Sequence, residues 1–232
     1  MKNILITRQK NRSQPLIQIF ESEGFKTFVE PLFSVKKINI LKKNFQKNSA
    51  IIITSSNACE AISGLNFSKQ TKIFAVGKKT KQKLLEFGFE NIAVAAENSA
   101  LSLQNLIIKT HNKDNPLIYF HGSKITLDFK KNLKNLGFNV KKILAYQTFE
   151  NENFSDDFLE ISQKKIFDYV LIFSQNSAKI FVKLVKKNNL VEYFKHSQIL
   201  CLSPKILEQI QKFGFKNSLI FDQFPILKKF YD

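Results

Sequence analysis

IIITSSNACEAI, at residues 51–62, is repeated later in the chain as VLIFSQNSAKIF, at residues 170–181. Each copy has a short apolar run, then a polar turn that contains Ser and Asn, and then apolar residues at helical spacing. A short apolar run of this kind is typical of a strand that is buried on both faces of a parallel sheet. The two stretches therefore predict two copies of one strand–turn–helix unit.

Two further pairs of segments repeat in the same way. Residues 73–92 match residues 199–218, and residues 4–33 match residues 117–146. Each copy predicts a strand followed by a helix and a glycine, and a glycine in that position is typical of a left-handed helix C-cap. Alternating strands and helices predict an α/β protein with right-handed crossovers between parallel strands.

The order of the copies predicts how the domains are arranged. The first copy of the third pair opens the chain, whereas its second copy follows the first copies of the other two pairs. We therefore expect two similar parallel-sheet (flavodoxin-like) α/β domains: a discontinuous one of residues 1–35 plus 150–232, and an inserted one of residues 36–149. Two polar linker segments, near 33–49 and 146–160, would join them. Two crossings also predict a hinge and a ligand cleft between the domains.

The composition excludes several classes of protein and leaves one question open. No apolar run approaches the length of about 18 residues that spans a bilayer, and the opening MKNILITRQKNRS turns polar too early for the apolar core of a secretory signal, so a cytoplasmic location without a membrane partner is expected. Cys59 and Cys201 lie in apolar stretches and are expected to be reduced packing residues. The formal net charge is +17. This charge indicates either an anionic partner or the drift of an AT-rich genome, because all basic residues other than Arg8 and Arg12 are Lys.

The turns that follow the predicted strands contain the candidate site residues. Ligands of open α/β sheets bind beyond the carboxyl ends of the strands, and a helix that starts there offers unpaired N–H groups to an anion. The alternative is that the Ser, Thr and Asn side chains of these turns are ordinary helix N-caps. The candidates for substrate binding are Arg8, Thr54, Ser55, Ser56, Asn57, Gly77, Lys78, Thr80, His121, Gly122, Ser123, Ser174, Gln175, Asn176, Ser203 and Lys205.

Other kinds of site lack support in the sequence. The turn at Gly77–Thr80 does not have the glycine spacing of a phosphate-binding loop. The three histidines, at 111, 121 and 196, are scattered, and no Ser is framed as Gly-x-Ser-x-Gly, so neither a metal site nor a hydrolase triad is indicated. No aromatic-rich RNA-binding signature is present.

Several motifs resemble, in order and spacing, those of the uroporphyrinogen-III synthases over essentially the whole chain. They are ILITR at 4–8, ITSSNA at 53–58, AVGKKT at 75–80, AYQT at 145–148 and FSQNSA at 173–178. The sequence departs from the family pattern at Gln9, where Pro is usual, and at His121, where Arg is usual. The second Gly-x-x-Thr turn is replaced by Ser203-Pro204-Lys205-Ile206.

The resemblance implies an activity and a substrate. The substrate would be hydroxymethylbilane, a chain of four pyrroles with eight carboxylates, which the enzyme closes into a macrocycle while inverting ring D. Tyr146 would hydrogen-bond the departing hydroxyl, and the turn residues would bind carboxylates. No cofactor, metal or nucleic acid is expected, and a monomer is expected. The alternative is a non-catalytic two-lobed α/β module that binds an anionic ligand or nucleic acid, which the net charge would also suit.

Overall fold

The computed structural model describes residues 1–41, 45–46 and 48–228. Its strands, in chain order, are β1 (Asn3–Ile6), β2 (Lys26–Val29), β3 (Phe33–Lys37), β4 (Ala50–Ile53), β5 (Ile73–Ala75), β6 (Ile92–Val94), β7 (Leu117–Gly122), β8 (Val140–Glu150), β9 (Tyr169–Ile172), β10 (Gln198–Cys201) and β11 (Ser218–Ile220). Its α-helices are α1 (Lys10–Ser22), α2 (Cys59–Ser63), α3 (Lys78–Glu86), α4 (Ala100–Thr110), α5 (Phe129–Lys134), α6 (Asp156–Lys164), α7 (Gln175–Lys187), α8 (Val191–Phe194), α9 (Pro204–Lys212) and α10 (Pro225–Lys228).

The chain forms two compact units, each built around one sheet. Unit 1 comprises residues 1–34 and 149–232, and unit 2 comprises residues 35–148. The sheet of unit 1 has the order β11-β10-β9-β1-β2, and that of unit 2 has the order β3-β8-β7-β4-β5-β6. The neighbours within β11 to β2 and within β8 to β6 pair in parallel. The predicted α/β class with two similar parallel-sheet domains, one of them discontinuous, is confirmed.

The strand orders explain why the sequence repeats appear out of order. If the five strands of unit 1 are numbered 1 to 5 in chain order, their order in the sheet is 2-1-3-4-5, which is the flavodoxin-like arrangement. The sheet of unit 2 has the same order when its strands are counted from β7 through β8 to β4, β5 and β6. Unit 2 is therefore a circular permutation of unit 1.

Both sheets are buried on both faces, which is why their strands are apolar runs rather than alternating ones. All residues of β4 and β5 are buried. In unit 1 the two faces are covered by separate apolar clusters, one around Phe167 and Phe181 and the other around Phe20 and Phe221. Gly24 and Gly137, which are aligned in the repeat, follow helices with φ of +78° and +86°, as predicted for left-handed C-caps.

The chain passes from one unit to the other at residues 34–35 and 148–149, within the two predicted linker segments. Strands nevertheless occupy the beginning of each segment, because residues 33–37 form β3 and β8 extends to residue 150. The cause is backbone pairing, since β3 and β8 are neighbours in the sheet and a ladder can include exposed polar residues. The predicted linker at 33–49 also contains residues 42–44 and 47, which lie outside the described residues.

The two cysteines are buried packing residues, as the sequence predicted. Cys59 and Cys201 are free and buried, and burial raises the pKa of each thiol to about 12. Both thiols are therefore protonated at neutral pH and act as small apolar side chains. In the part of the chain that is described, every helix is too short or too polar to cross a membrane.

Candidate functional site

The strand order of each unit defines one topological switch point, where ligands of such sheets usually bind. In unit 2 this point lies between β4 and β7, with Ile53 opposite Phe120 at the carboxyl ends. In unit 1 it lies between β1 and β9, with Ile6 opposite Leu171.

The turn after β4 contains a helix-capping side chain, Ser55, and a hydroxyl bonded to the neighbouring strand, that of Thr54. Ser55 is the N-cap of the 3-10 turn Ser56–Ala58, and its Oγ accepts the N–H of Asn57 at 3.3 Å. Thr54 has a different contact, because its Oγ1 lies 3.3 Å from the hydroxyl of Tyr119 on β7. Ser56 and Asn57 are partly buried in the same turn. Ser55 thus has a structural role, whereas Thr54 presents a hydroxyl at the strand end.

Tyr146 lies against the end of β7. A register shift between His121 and Gly122 sets Gly122 opposite Tyr146. The tyrosine ring lies so close to this glycine that a Cβ at position 122 would be 2.4 Å from Tyr146 Cζ and 2.7 Å from its hydroxyl oxygen. Among the described residues, none forms a hydrogen bond with that hydroxyl. β8 continues past Tyr146 to Glu150, so Tyr146 lies within the strand.

The sequence had predicted that the turn after β7 opens a helix, and the structure shows that it does not. β7 continues through Gly122, and α5 begins only at Phe129. The reason is that β8 extends the ladder at this point: Ser123 Oγ accepts the N–H of Thr148 at 3.1 Å. His121 is partly buried, and its Nδ1 donates to the carbonyl oxygen of Gly122 at 2.8 Å.

The turn after β5 lies beside a lysine-rimmed cavity. Gly77 is the N-cap residue of α3, and Lys78 is the first residue of that helix. A Cβ at position 77 would be 2.5 Å from Asn98 Oδ1, so the glycine allows Asn98 to pack on the backbone. Thr80 is only 4% exposed, whereas Lys78 is exposed. The cavity has a volume of about 570 Å³ and is lined by Val76, Gly77, Lys78, Lys79, Thr80, Lys81, Val94, Ala95, Ala96 and Asn98.

At the switch point of unit 1 the side chains are a cation and an aromatic ring. The guanidinium of Arg8, after β1, lies 4.8 Å from the centre of the Phe173 ring, after β9. This distance is within the range of a cation–π contact. Phe173 in turn packs edge-on against Phe221, with 5.4 Å between ring centres. Phe173 therefore supports the guanidinium from the side of the apolar core.

The remaining candidates of unit 1 lie at the starts of α7 and α9. Ser174 caps α7, since its Oγ accepts the N–H of Ser177 at 3.0 Å. Asn176 donates through Nδ2 to Glu150 Oε1 at 3.1 Å, and Gln175 is exposed. A cavity of about 250 Å³ next to these helices is lined by Gln175, Lys179, Lys205, Glu208, Gln209 and Lys212.

The α9 turn differs from the α7 turn. Ser203 is the N-cap residue of α9 but forms no side-chain capping bond, and Pro204 occupies the first turn. Pro lacks an N–H, so this helix start offers one donor fewer to an anion. Lys205 is exposed beside it. Within the described residues, no group of three or more His, Cys, Asp or Glu side chains could hold a metal ion.

Comparison with known proteins gives the family. The sequence profile described as "Uroporphyrinogen-III synthase HemD" matches residues 14–226. The chain belongs to the uroporphyrinogen-III synthase family. The resemblance drawn from the sequence motifs is confirmed, and these proteins act in tetrapyrrole synthesis.

Relatives and solved structures of the same family cover nearly the whole chain. A Methanocaldococcus jannaschii protein named "Putative uroporphyrinogen-III synthase" is 25% identical over 237 residues, which are 98% of this chain and 93% of that protein. The crystal structure of uroporphyrinogen-III synthetase from Helicobacter pylori has a TM-score of 0.62 at 14% identity, covering 100% of this chain and 98% of that one. A Thermus thermophilus uroporphyrinogen III synthase crystal structure has a TM-score of 0.52 at 14% identity, with the same coverage. These structures share the fold.

Three polar residues of this uroporphyrinogen-III synthase family member were not among the candidates predicted from the sequence. Tyr119 lies in the apolar run LIYF and was grouped with the core, although its hydroxyl reaches Thr54. Asn98 lies beyond the strand end and is brought to Gly77 by the close glycine contact. Glu30 follows β2 and is 5% exposed, with its carboxylate bonded to Ser155. Glu30 could have been found, because it also follows a predicted strand.

Proposed function

We propose that this protein is a uroporphyrinogen-III synthase that converts hydroxymethylbilane into uroporphyrinogen III without a cofactor. The terminal hydroxyl of the linear tetrapyrrole leaves with a proton as water, which produces an azafulvene cation. Ring D attacks this carbon through its substituted position, giving a spiro intermediate. Fragmentation and recombination then join the inverted ring D to ring A, and a proton is lost as the macrocycle closes.

The observation that carries the proposal is the position of the Tyr146 hydroxyl. It lies over Gly122 at the end of β7, beside the switch point of unit 2, and has no hydrogen-bond partner among the described residues. A phenol hydroxyl can donate a hydrogen bond without carrying a charge. Tyr146 would donate to the leaving hydroxyl and favour its departure.

The strand ends supply groups that suit a polycarboxylate. Lys78 stands at the exposed start of α3, beside the cavity at Gly77, and the first N–H groups of that helix have no partner within the helix. Arg8 offers a guanidinium that is oriented by Phe173, and a guanidinium can bind a carboxylate through two hydrogen bonds. These contacts would fold the linear substrate so that ring D meets the cation.

The proposed function is tested by identifying the isomer that the protein forms from fresh hydroxymethylbilane. Purified protein in a buffer with a chelator, and without nucleotide, should yield the type III isomer, measured by chromatography of the oxidised porphyrins. Parallel reactions without protein and with heat-denatured protein give the spontaneous type I product as the reference. Type I alone at high protein concentration would exclude the proposed activity.

A further inference from the structure

The buried phenol of Tyr119 lies directly behind one of the strand-end hydroxyls. Tyr119 is 2% exposed and belongs to the apolar cluster on the α4 and α5 side of the sheet of unit 2. Its ring packs edge-on against Phe129, with 5.0 Å between ring centres. In the register, Tyr119 is opposite Ile52, so Thr54 is its diagonal neighbour on the same face of the sheet. The phenol points along the strand to the carboxyl end of β4.

The direction of the hydrogen bond between the two hydroxyls follows from burial. A buried phenol proton needs an acceptor, because leaving it unpaired costs about 1–3 kcal/mol. Within the described ranges, the hydrogen-bond partner of Tyr119 is Thr54 Oγ1, at 3.3 Å. Tyr119 therefore donates and Thr54 accepts. The proton of Thr54 is then available to a group outside the sheet, and the Thr54 side chain is partly exposed there.

Burial favours the protonated form of Tyr119. Burial raises the pKa of the Tyr119 phenol, with a smaller opposing effect from the hydrogen bond with Thr54. The phenol thus keeps its proton at any pH at which the enzyme would work. It can serve as a permanent donor to Thr54.

We propose that Tyr119 is a positioning residue: it fixes the Thr54 side chain so that the Thr54 hydroxyl donates a hydrogen bond to a carboxylate of the substrate at the switch point of unit 2. Thr54 touches the substrate, and Tyr119 acts through Thr54. The repeat explains why this arrangement belongs to unit 2. The positions that correspond to Tyr119 and Thr54 in unit 1 are Ile6 and Phe173, which have no hydroxyl.

A double-mutant cycle on steady-state kinetics tests the inference, which rests on the proposed function. Tyr119→Phe keeps the ring and removes the donor, so KM for hydroxymethylbilane should rise about threefold to fivefold, with kcat within about twofold. Thr54→Val should raise KM about fivefold to tenfold. The double variant should be no worse than Thr54→Val alone, because Tyr119 acts only through Thr54.

Two further variants separate positioning from a general structural effect. Tyr193→Phe is the matched control: it removes another partly buried phenol, which donates to the carbonyl of Lys165 in unit 1, and it should leave KM unchanged. Thr54→Ser retains a hydroxyl and should restore most of the affinity lost in Thr54→Val.

The failures of the two proposals are distinguishable. If the wild-type protein forms no type III isomer, both the proposed function and this inference are overturned. If the wild type is active but the effects of Tyr119→Phe and Thr54→Val multiply independently, or if Tyr119→Phe lowers kcat and thermal stability without changing KM, the inference alone is overturned.

Discussion

The two switch points are built on the same strand order but offer different chemistry. In unit 2 the ends of β4 and β7 carry Thr54 and His121, whereas the corresponding positions of unit 1 carry Phe173 and Arg8. A hydroxyl bonded to a buried phenol thus stands where the other unit has an aromatic ring supporting a guanidinium. The two units share the scaffold, while the side chains at single strand-end positions differ between a neutral hydroxyl and a cation.

The largest expected effect is that of Gly122→Ala, which tests the placement of Tyr146 in unit 2. The new Cβ would lie 2.4 Å from Tyr146 Cζ, so the ring must turn aside. Type III formation should fall by about tenfold or more, because the turned ring loses both the position of its hydroxyl and its packing, and a misplacement of about 1 Å can cost up to about 100-fold in rate. Stability should fall by only about 1 kcal/mol, since the far end of a side chain can move.

The matched control is Gln9→Ala, at the corresponding position of unit 1. Gln9 forms no side-chain capping bond in α1. The Gln9→Ala variant should keep a rate of type III formation and a thermal midpoint close to those of the wild type. Equal losses in the two variants would contradict the assignment of catalysis to the Tyr146 side of the comparison.

Tyr146→Phe should have the next largest effect. The ring and its packing remain, and only the proposed donor to the leaving hydroxyl is lost. Turnover should drop about tenfold, which corresponds to a lost transition-state hydrogen bond of about 1.4 kcal/mol, while thermal unfolding barely changes. Unchanged turnover would remove Tyr146 from the mechanism and leave main-chain and lysine donors as the catalytic groups.

Arg8→Lys examines the cation of unit 1. Lysine keeps the charge but loses the planar group that lies on Phe173 and can bind a carboxylate through two hydrogen bonds. We expect KM to rise about fivefold with little change in kcat. Arg12→Lys, the other Arg-to-Lys change available in this chain, should leave KM within about twofold of the wild type. Equal KM values for all three proteins would show that unit 1 contributes charge alone.

The smallest expected effect is the pH dependence of stability that Glu30, at the edge of unit 1, causes. Burial raises the pKa of Glu30 above its ordinary value of 4.5, although hydrogen bonds from Ser155 oppose this shift. A carboxyl group whose pKa is raised on folding binds more protons in the folded state, so its contribution to stability falls as the pH rises above about 4.5. Glu30→Gln does not ionise, so its stability relative to the wild type should increase as the pH rises from about 4.5 towards neutrality. Denaturant unfolding at several pH values measures this difference, and a constant difference would contradict the raised pKa.

The repeats allowed the fold to be predicted from sequence because several levels of information agree. Apolar runs, helical spacing and glycine C-caps recur in three pairs, and their order permits a circularly permuted pair of sheets. The site was less predictable. The length of β8 could not be predicted, because exposed polar residues can continue a strand when the neighbouring backbone is available for pairing. The contact of Tyr119 with Thr54 could not be predicted either, because it depends on the register between β4 and β7.

The circular permutation has a consequence for synthesis on the ribosome. Unit 2 is continuous, so it can fold as it emerges, but β1 needs β9 as its neighbour, and about 140 residues separate Val29 from Tyr169. At the usual rate of translation this interval lasts roughly 7–28 s. During it, one edge of β1 and apolar side chains such as Phe20 lack their later partners from β9 to α10. Nascent chains are therefore most exposed to aggregation and chaperone binding through residues 1–30. Substitutions that weaken the apolar face of α1 should reduce the yield of folded protein more than the activity of the molecules that do fold.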